Sequence, residues 1–437
     1  MNCKVRFAPS PTGYMHIGNA RIAIINYLFC KKNKGHFLFR LDDTDTQRSQ
    51  EIYEQSIVKD LSWLGIFYDS TFKQSSRFGR YDEIKNKLIE KGSIYPCYET
   101  EEELEYKRRL AITKGKPPIY DRSSLSSSNY PVTADSPPVY YRFKLPDQTI
   151  TWNDLVFGKI SYDLKNVSDP IIIKADGTYL YTFSSIIDDF DYNITHIIRG
   201  QDHITNTAVQ LAILNEISEN KPINIEFAHL SLLINKDGSQ FSKRLGSLNL
   251  GDLQKKEILP ITIINMMATL GSSIDTIPFT SVDKVIENFE LSKFSSNSPK
   301  FSIDELFLLN KKVLHNYSYE EIDFDIDRNV FDLVHQNVEK MSDLEMWKNI
   351  FLEDFRSDYV PQNENEKKVI KTTLELLDIH ILDNLLDKLK SATGISGKDL
   401  YMPLRLALTG IEHGPNIVNI IKILGVPQVK TRLQNYI

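Results

Sequence analysis

Cysteine is scarce: Cys3, Cys30 and Cys97 are the only three in 437 residues. So few and so scattered, they cannot form a disulfide framework, which points to a reducing compartment. Long apolar runs are missing too. The longest, Ile258 to Leu270, contains Pro260 and Asn265 and is short of a membrane span. The first residues carry no apolar segment of the secretory kind, so a cytoplasmic protein with no membrane partner is expected. An excess of positive charge is likewise absent: 52 Lys and Arg stand against 58 Asp and Glu, a net charge of −6. Any nucleic-acid contact must therefore come from local basic patches rather than from the overall field.

What is present is an ordinary globular composition, 41% hydrophobic and 25% charged, over a length that accommodates about two to four domains. The chain is organised around Val5 to Arg21. A short apolar run, a loop punctuated by Pro9, Pro11 and Gly13, and a helical pattern (Ala20, Ala23, Ile24, Tyr27, Leu28) predict a strand–loop–helix unit. Such a unit aims main-chain N–H groups and a positive helix end at a ligand above the strand, most often a phosphate. His16 can donate to a phosphate oxygen, and Gly18 lets a ligand approach the backbone. A histidine at a helix start also serves as a cap or packing residue.

His36 to Leu41 predicts a second strand, with Asp42, Asp43 and Asp45 at its carboxyl end; a carboxylate there can cap the next helix. Helical patterns cover Gln50 to Leu64, Arg80 to Lys91 and Glu101 to Arg109, the first two stopped by Gly65 and Gly92. Residues 123–138, rich in Ser and Pro, read as a surface loop, and short strands are expected at 140–144, 149–152 and 169–173. Thr195 to Gly200 reads as a strand that carries Arg199 to the carboxyl edge of a sheet, where open α/β sheets bind ligands. There the planar fork of Arg199 suits a substrate carboxylate, a buried ion pair being the competing use. A helix follows at 207–216, then strands at 225–230 and 232–234. From Leu253 onward the pattern is mainly helical. Near the end Lys398, Arg405, Lys422, Lys430 and Arg432 outnumber Asp399 and Glu412, which suits phosphate contact.

The run His16-Ile17-Gly18-Asn19 resembles the "HIGH" signature of class I aminoacyl-tRNA synthetases, in the version typical of glutamyl-tRNA synthetases. Asp237 to Arg244 resembles that family's "KMSKS" loop, although a Ser-Lys-Arg triplet alone is ordinary solvated surface. Phe301 to Asn310 and Gly397 to Pro415 also match the family, so the resemblance covers essentially the whole chain. It implies an α/β fold: a Rossmann-like catalytic domain split between 1–76 and 179–235, an inserted acceptor-binding domain at 77–178, a loop and stem-contact domain at 236–310, and an all-helical anticodon-binding domain at 311–437. It implies glutamate activation by ATP with Mg2+, then transfer to tRNA(Glu), and a monomer.

The same resemblance assigns ATP to His16, Gly18, Asn19, Ser242 and Lys243, with His16 and Lys243 catalytic, and glutamate to Arg6, Ala8, Ser10, Asp42, Tyr181 and Arg199. Three positions depart from the family. Asp42 stands where glutamate is usual, Gln201 where glutamate is usual, and Gln240 replaces the first lysine of the second signature. Some bacterial relatives hold zinc through a Cys-x-Cys pair. Here Glu99 stands two residues after Cys97, and one thiol cannot build a tetrahedral site, so no zinc and no other protein-bound metal is expected. An enzyme that glutamylates tRNA(Gln) is the nearest alternative. A glutaminyl enzyme, a nucleotidyltransferase and a non-catalytic RNA-binding relative are further ones.

Overall fold

The structure, a computed structural model, describes residues 3–115, 117–120, 122, 138–219, 221–239, 248–377, 382 and 384–437. They form two compact units. One comprises Met1–Lys255, Ile263–Ile277 and Ser281–Ser302; the other comprises Lys256–Thr262, Pro278–Thr280 and Ile303–Ile437.

The first unit is built on β1 (Lys4–Phe7), α1 (Ile17–Lys32), β2 (His36–Leu41), α2 (Glu51–Trp63), β3 (Ser70–Lys73), α3 (Phe78–Glu90), β4 (Ile94–Cys97) and α4 (Glu101–Thr113). It continues through β5 (Tyr140–Phe143), β6 (Thr149–Asp154), β7 (Gly158–Asp163), β8 (Ile171–Ile173), α5 (Tyr181–Asp191), β9 (His196–Gly200), α6 (Ile204–Ile217), β10 (Glu226–Leu230) and α7 (Leu250–Lys255). Seven strands make the main sheet in the order β3-β2-β1-β9-β10-β6-β7, and three more make a small sheet in the order β4-β5-β8. The main sheet is parallel apart from the β6–β7 hairpin. Its central strands are near-continuous apolar runs, as strands covered on both faces must be. Val5, Phe37, Ile197 and Phe227 are all almost fully buried.

Two features of these sheets were not apparent from sequence. Strands β6 and β7 fall within residues 77–178, yet they hydrogen-bond into the main sheet through Phe227 and Asp154. Pro96 lies inside β4, which the order shows to be an edge strand, where a missing N–H costs no ladder bond. One strand expectation fails: Leu232 to Ile234 joins no sheet and makes only an isolated bridge from Ile234 to Lys300.

The second unit is helical. Trp347, Leu344, Ile370, Leu404, Leu408 and Ile420 sit at the centre of its core. Gly414, at φ +143°, lies so close to Trp347 that an added Cβ would come within 2.6 Å of its ring. Here the basic C-terminal patch is corrected. Arg405 is buried and donates to the carbonyl of Pro415. Arg432 is buried and donates to the carbonyls of Leu408, Ile350 and Leu352. These two guanidiniums hold the fold together, which leaves Lys398, Lys422 and Lys430 against Asp399 and Glu412.

Candidate active site

Strand β1 has β2 on one side and β9 on the other, so the chain reverses direction across the sheet there. Open parallel sheets bind ligands in the crevice outside the carboxyl ends of such strands. The loop from Ala8 to Gly13 and the turn from Gly200 to His203 form its rim. The first loop, which carries the half-buried Ala8 and the exposed Ser10, is tied down by Asp42 N–H donating to the Pro9 carbonyl at 3.0 Å and Gln50 N–H donating to the Pro11 carbonyl at 3.0 Å.

His16 is the N-cap of α1. Its Nδ1 accepts from Gly18 N–H at 3.1 Å and Asn19 N–H at 3.3 Å. Capping is thus the use the fold makes of one ring nitrogen, and it leaves Nε2 unengaged by the cap. With Nδ1 an acceptor, the neutral ring carries its proton on Nε2, which becomes a hydrogen-bond donor. The ring is solvent-exposed, yet the protein around it lowers its pKa by desolvation. Gly18 gives this pose its room: a Cβ there would lie 3.0 Å from the imidazole, which would have to give way by a few tenths of an ångström.

Lys243, Ser242 and Gln240 lie outside the described residues. The segment downstream of them is tied to α1. Ile17 N–H donates to the Leu248 carbonyl at 3.2 Å, and Leu250 N–H donates to the Met15 carbonyl at 3.2 Å. Asn249 then caps α7 by accepting from Asp252 N–H at 2.8 Å. Upstream, Gly238 has φ +82°, and Asp237 accepts from Ser239 N–H at 2.8 Å.

Behind this rim lies a buried charge network. Arg6 points Nε at both oxygens of Asp189, at 3.2 and 3.3 Å. Asp189 also accepts from Arg40 Nη1 at 2.7 Å. Arg40 in turn meets Asp42 twice, at 2.6 and 3.3 Å, and donates to Ser185 Oγ at 2.8 Å. Asp42 therefore caps no helix. Burial pushes its carboxyl up to about 6 despite the facing guanidinium of Arg40. The adjacent Asp188 lies 3.9 Å from Arg40 Nε and accepts from Arg77, Gln74 and Tyr81.

Arg199 is different. It is 4% exposed and makes no ion pair with any described residue. Its Nη1 donates to the Tyr181 hydroxyl at 2.9 Å and its Nη2 donates to Thr207 Oγ1, while Nε has no partner. Burial lowers its pKa, Tyr181 opposes that, and Arg6 adds to it. Arg21 is also buried without a carboxylate, but two main-chain carbonyls, of Ser231 and Leu270, take its fork. Arg199 has two neutral hydroxyls and the Phe227 ring, whose centroid lies 5.9 Å away. The ring of His203 lies 5.1 Å from that of Tyr181, and burial together with Arg199 lowers its pKa to about 4.

With Ser242 and Lys243 outside the described residues and Ala8 and Ser10 on the rim loop, the other sequence-predicted residues fall into three groups. Arg6 and Asp42 share one network, Tyr181 and Arg199 pair directly, and His16, Gly18 and Asn19 make the start of α1. Arg40, Ser185, Asp189 and Thr207 were missed. The signal for the first and third was charge in otherwise apolar elements, since Arg40 interrupts His36–Leu41 and Asp189 follows Ile186 and Ile187.

The region of Cys97 holds a hydrogen-bonded cluster. Glu99, 2% exposed, accepts from Tyr120 at 3.1 and 3.2 Å, from Lys107 at 3.1 Å and from Tyr140 at 3.4 Å. The Arg142 guanidinium lies 4.0 Å over the Tyr120 ring. Burial pushes the Cys97 thiol up to about 11. Among the described residues no group of three or more His, Cys, Asp or Glu side chains is placed to hold a metal, and no helix is long and apolar enough to cross a membrane.

Comparison with known proteins accords with this geometry. The family described as tRNA synthetases class I (E and Q), catalytic domain, matches residues 2–307, and an anticodon binding domain matches residues 309–437. Glutamate--tRNA ligase 2 of Ehrlichia canis (strain Jake) is 42% identical over 444 residues, with 98% of each chain covered. Glutamate--tRNA ligase 1 of Rickettsia prowazekii (strain Madrid E) is 41% identical over 444 residues at the same coverage. A crystal structure of a glutamate tRNA ligase from Elizabethkingia meningosepticum, in complex with its amino acid, superposes with a TM-score of 0.82 at 27% identity, covering 100% of this chain and 99% of that one. With its parallel sheet, helix-capping histidine and helical second unit, the chain belongs to the class I tRNA synthetases of the E and Q family.

Proposed function

We propose that this protein is a glutamate–tRNA ligase working in the cytoplasm as a monomer. The observation that carries the reading is Arg199, a buried cation whose described partners are all neutral. A buried charge without a counter-charge costs on the order of 3–5 kcal/mol. A substrate carboxylate removes that cost, so the empty protein is poised for an anion.

In activation the glutamate α-carboxylate attacks the α-phosphorus of ATP in line, and pyrophosphate leaves. The attacking carboxylate must be free, so Arg199 holds the other one, at the side-chain end, with the Tyr181 hydroxyl beside it. Glutamine offers a neutral amide there and leaves the cation unpaired, which discriminates strongly against it. Asp42 faces the substrate ammonium, while Arg6, Ala8 and Ser10 shape the strand end. His16 donates Nε2–H to the phosphate on which charge develops, Gly18 and Asn19 bring the helix start to ATP, and Ser242 and Lys243 approach from the other loop. Mg2+ carried on the ATP phosphates would supply charge neutralisation for the departing pyrophosphate. No protein nucleophile is needed: a hydroxyl of the tRNA 3′-terminal ribose then attacks the acyl carbon and AMP leaves. The occupied carboxylate of Glu99 supports a zinc-free protein.

Charging of purified tRNA(Glu) and tRNA(Gln) with labelled glutamate, with glutamine as the control amino acid, tests this. Glutamyl-tRNA(Glu) alone is the expected product. Glutamyl-tRNA(Gln) would establish the relaxed enzyme instead, and glutamine transfer or no transfer would overturn the proposal.

A further inference from the structure

Behind Arg199 runs a second line of buried polar side chains. Thr207 Oγ1, which receives Arg199 Nη2, lies 2.9 Å from His229 Nε2, and His229 Nδ1 lies 2.5 Å from Asp154 Oδ2. Thr207 and His229 are fully buried and Asp154 is 4% exposed. The carboxylate of Asp154 is fixed by the N–H groups of Val156 and Phe157, each at 3.0 Å, and that of His229 at 3.2 Å.

These contacts set the direction of every proton. A carboxylate only accepts, so Nδ1 of His229 carries the hydrogen and Nε2 is left as an acceptor. The Thr207 hydroxyl then donates to Nε2 and turns its lone pairs to Arg199. In the opposite tautomer Thr207 Oγ1 would have to accept from Nε2–H as well as from Arg199, and the hydroxyl would rotate to the His203 carbonyl, 3.2 Å away, which changes the direction of its lone pairs.

We infer that Asp154, His229 and Thr207 form a proton-ordered chain that holds the Arg199 guanidinium in position for the substrate carboxylate. All three are positioning residues, since none touches the substrate. The inference rests on the reading of Arg199 given above. Asp154 sits at the end of β6, within the segment 77–178, so that segment supplies one end of the chain that orders the amino-acid pocket.

Three variants and one reference test it in the full-length protein, by steady-state charging of tRNA(Glu) and by thermal melting. Thr207→Val keeps the shape and removes the hydroxyl, and Asp154→Asn permits the other tautomer. Each should raise the glutamate KM about tenfold or more, the effect of misplacing one charge-assisted hydrogen bond, and leave the ATP KM within about twofold. Thr207→Ser, which restores the hydroxyl, should return the glutamate KM to near the parent value. A glutamate KM unchanged in Thr207→Val and Asp154→Asn, or both KM values moving together without rescue by serine, would overturn the chain. Arg199→Ala separates the two readings. If it too leaves the glutamate KM unchanged, the carboxylate role of Arg199 fails; if it raises it while Thr207→Val does not, only the chain fails.

Discussion

His16 caps α1 with one nitrogen, and the proposed function gives the other to a phosphate, with Gly18 leaving room for the ring. Gly18→Ala would place a methyl 3.0 Å from the imidazole and turn the ring off the helix. Alanine is itself a better helix former than glycine, so the melting temperature should hold or rise while tRNA-dependent pyrophosphate exchange falls about tenfold or more, the loss of one oriented donor. Unchanged exchange would remove His16 from the chemistry. Asp42 gives a pH prediction. With its pKa raised to about 6 by burial, it binds its proton more tightly in the folded protein. Its contribution to stability is therefore full below the unfolded value and gone once pH rises above about 6. Binding of the substrate ammonium runs the opposite way, needing the carboxylate. Glutamate affinity should fall as pH drops through about 6 and lose that limb in Asp42→Asn; a limb persisting in the variant would assign it to another group. At this scale the sequence made Arg6, His16, Gly18, Tyr181 and Arg199 legible, because local motifs carry them. Asp189, Thr207 and His229 were not, because their roles come from partners 183, 8 and 75 residues away or from buried proton order.

Among the elements, α4 shows most directly what sequence reading could and could not supply. Its start was legible in the helical pattern beginning at Glu101, and the fold closes it with a reciprocal capping box of Thr100 and Glu103. Its attachment was not, because none of its residues is buried. Lys107 reaching back to Glu99 is what ties the helix to the small sheet. Glu99→Ala would leave the hydroxyls of Tyr120 and Tyr140 without their acceptor, at a cost of about 1–3 kcal/mol. Faster hydrogen exchange in Glu101–Thr113 and a lower denaturant midpoint should follow. A zinc chelator should leave the melting temperature of the parent protein unchanged; a fall on chelation would show that metal, not the Glu99 cluster, secures this region. The β6–β7 hairpin teaches a related lesson. Its alternation of exposed and buried residues marks strands, but nothing local says that Asp154 will pair beside Phe227, 73 positions along the chain.

For the whole molecule, the α/β unit and the helical unit each have their own core. The change of pattern after Leu253 was legible as a shift from strands to helices. What was not legible is that Lys256–Thr262 and Pro278–Thr280 belong with the second unit, since that depends on packing between distant segments. Arg405 and Arg432 show the same limit from the side of charge: as sequence they are basic surface, and as structure they are internal struts. The central claim is that the first unit keeps one buried cation, Arg199, for a substrate anion. Its most direct test is a paired measurement on Arg199→Met, glutamate binding by titration calorimetry and thermal melting. The account predicts that glutamate binding is lost while the melting temperature holds or rises, because a buried charge with no directly paired carboxylate has been replaced by an apolar chain. A lowered melting temperature with glutamate binding intact would contradict it and make Arg199 a structural residue.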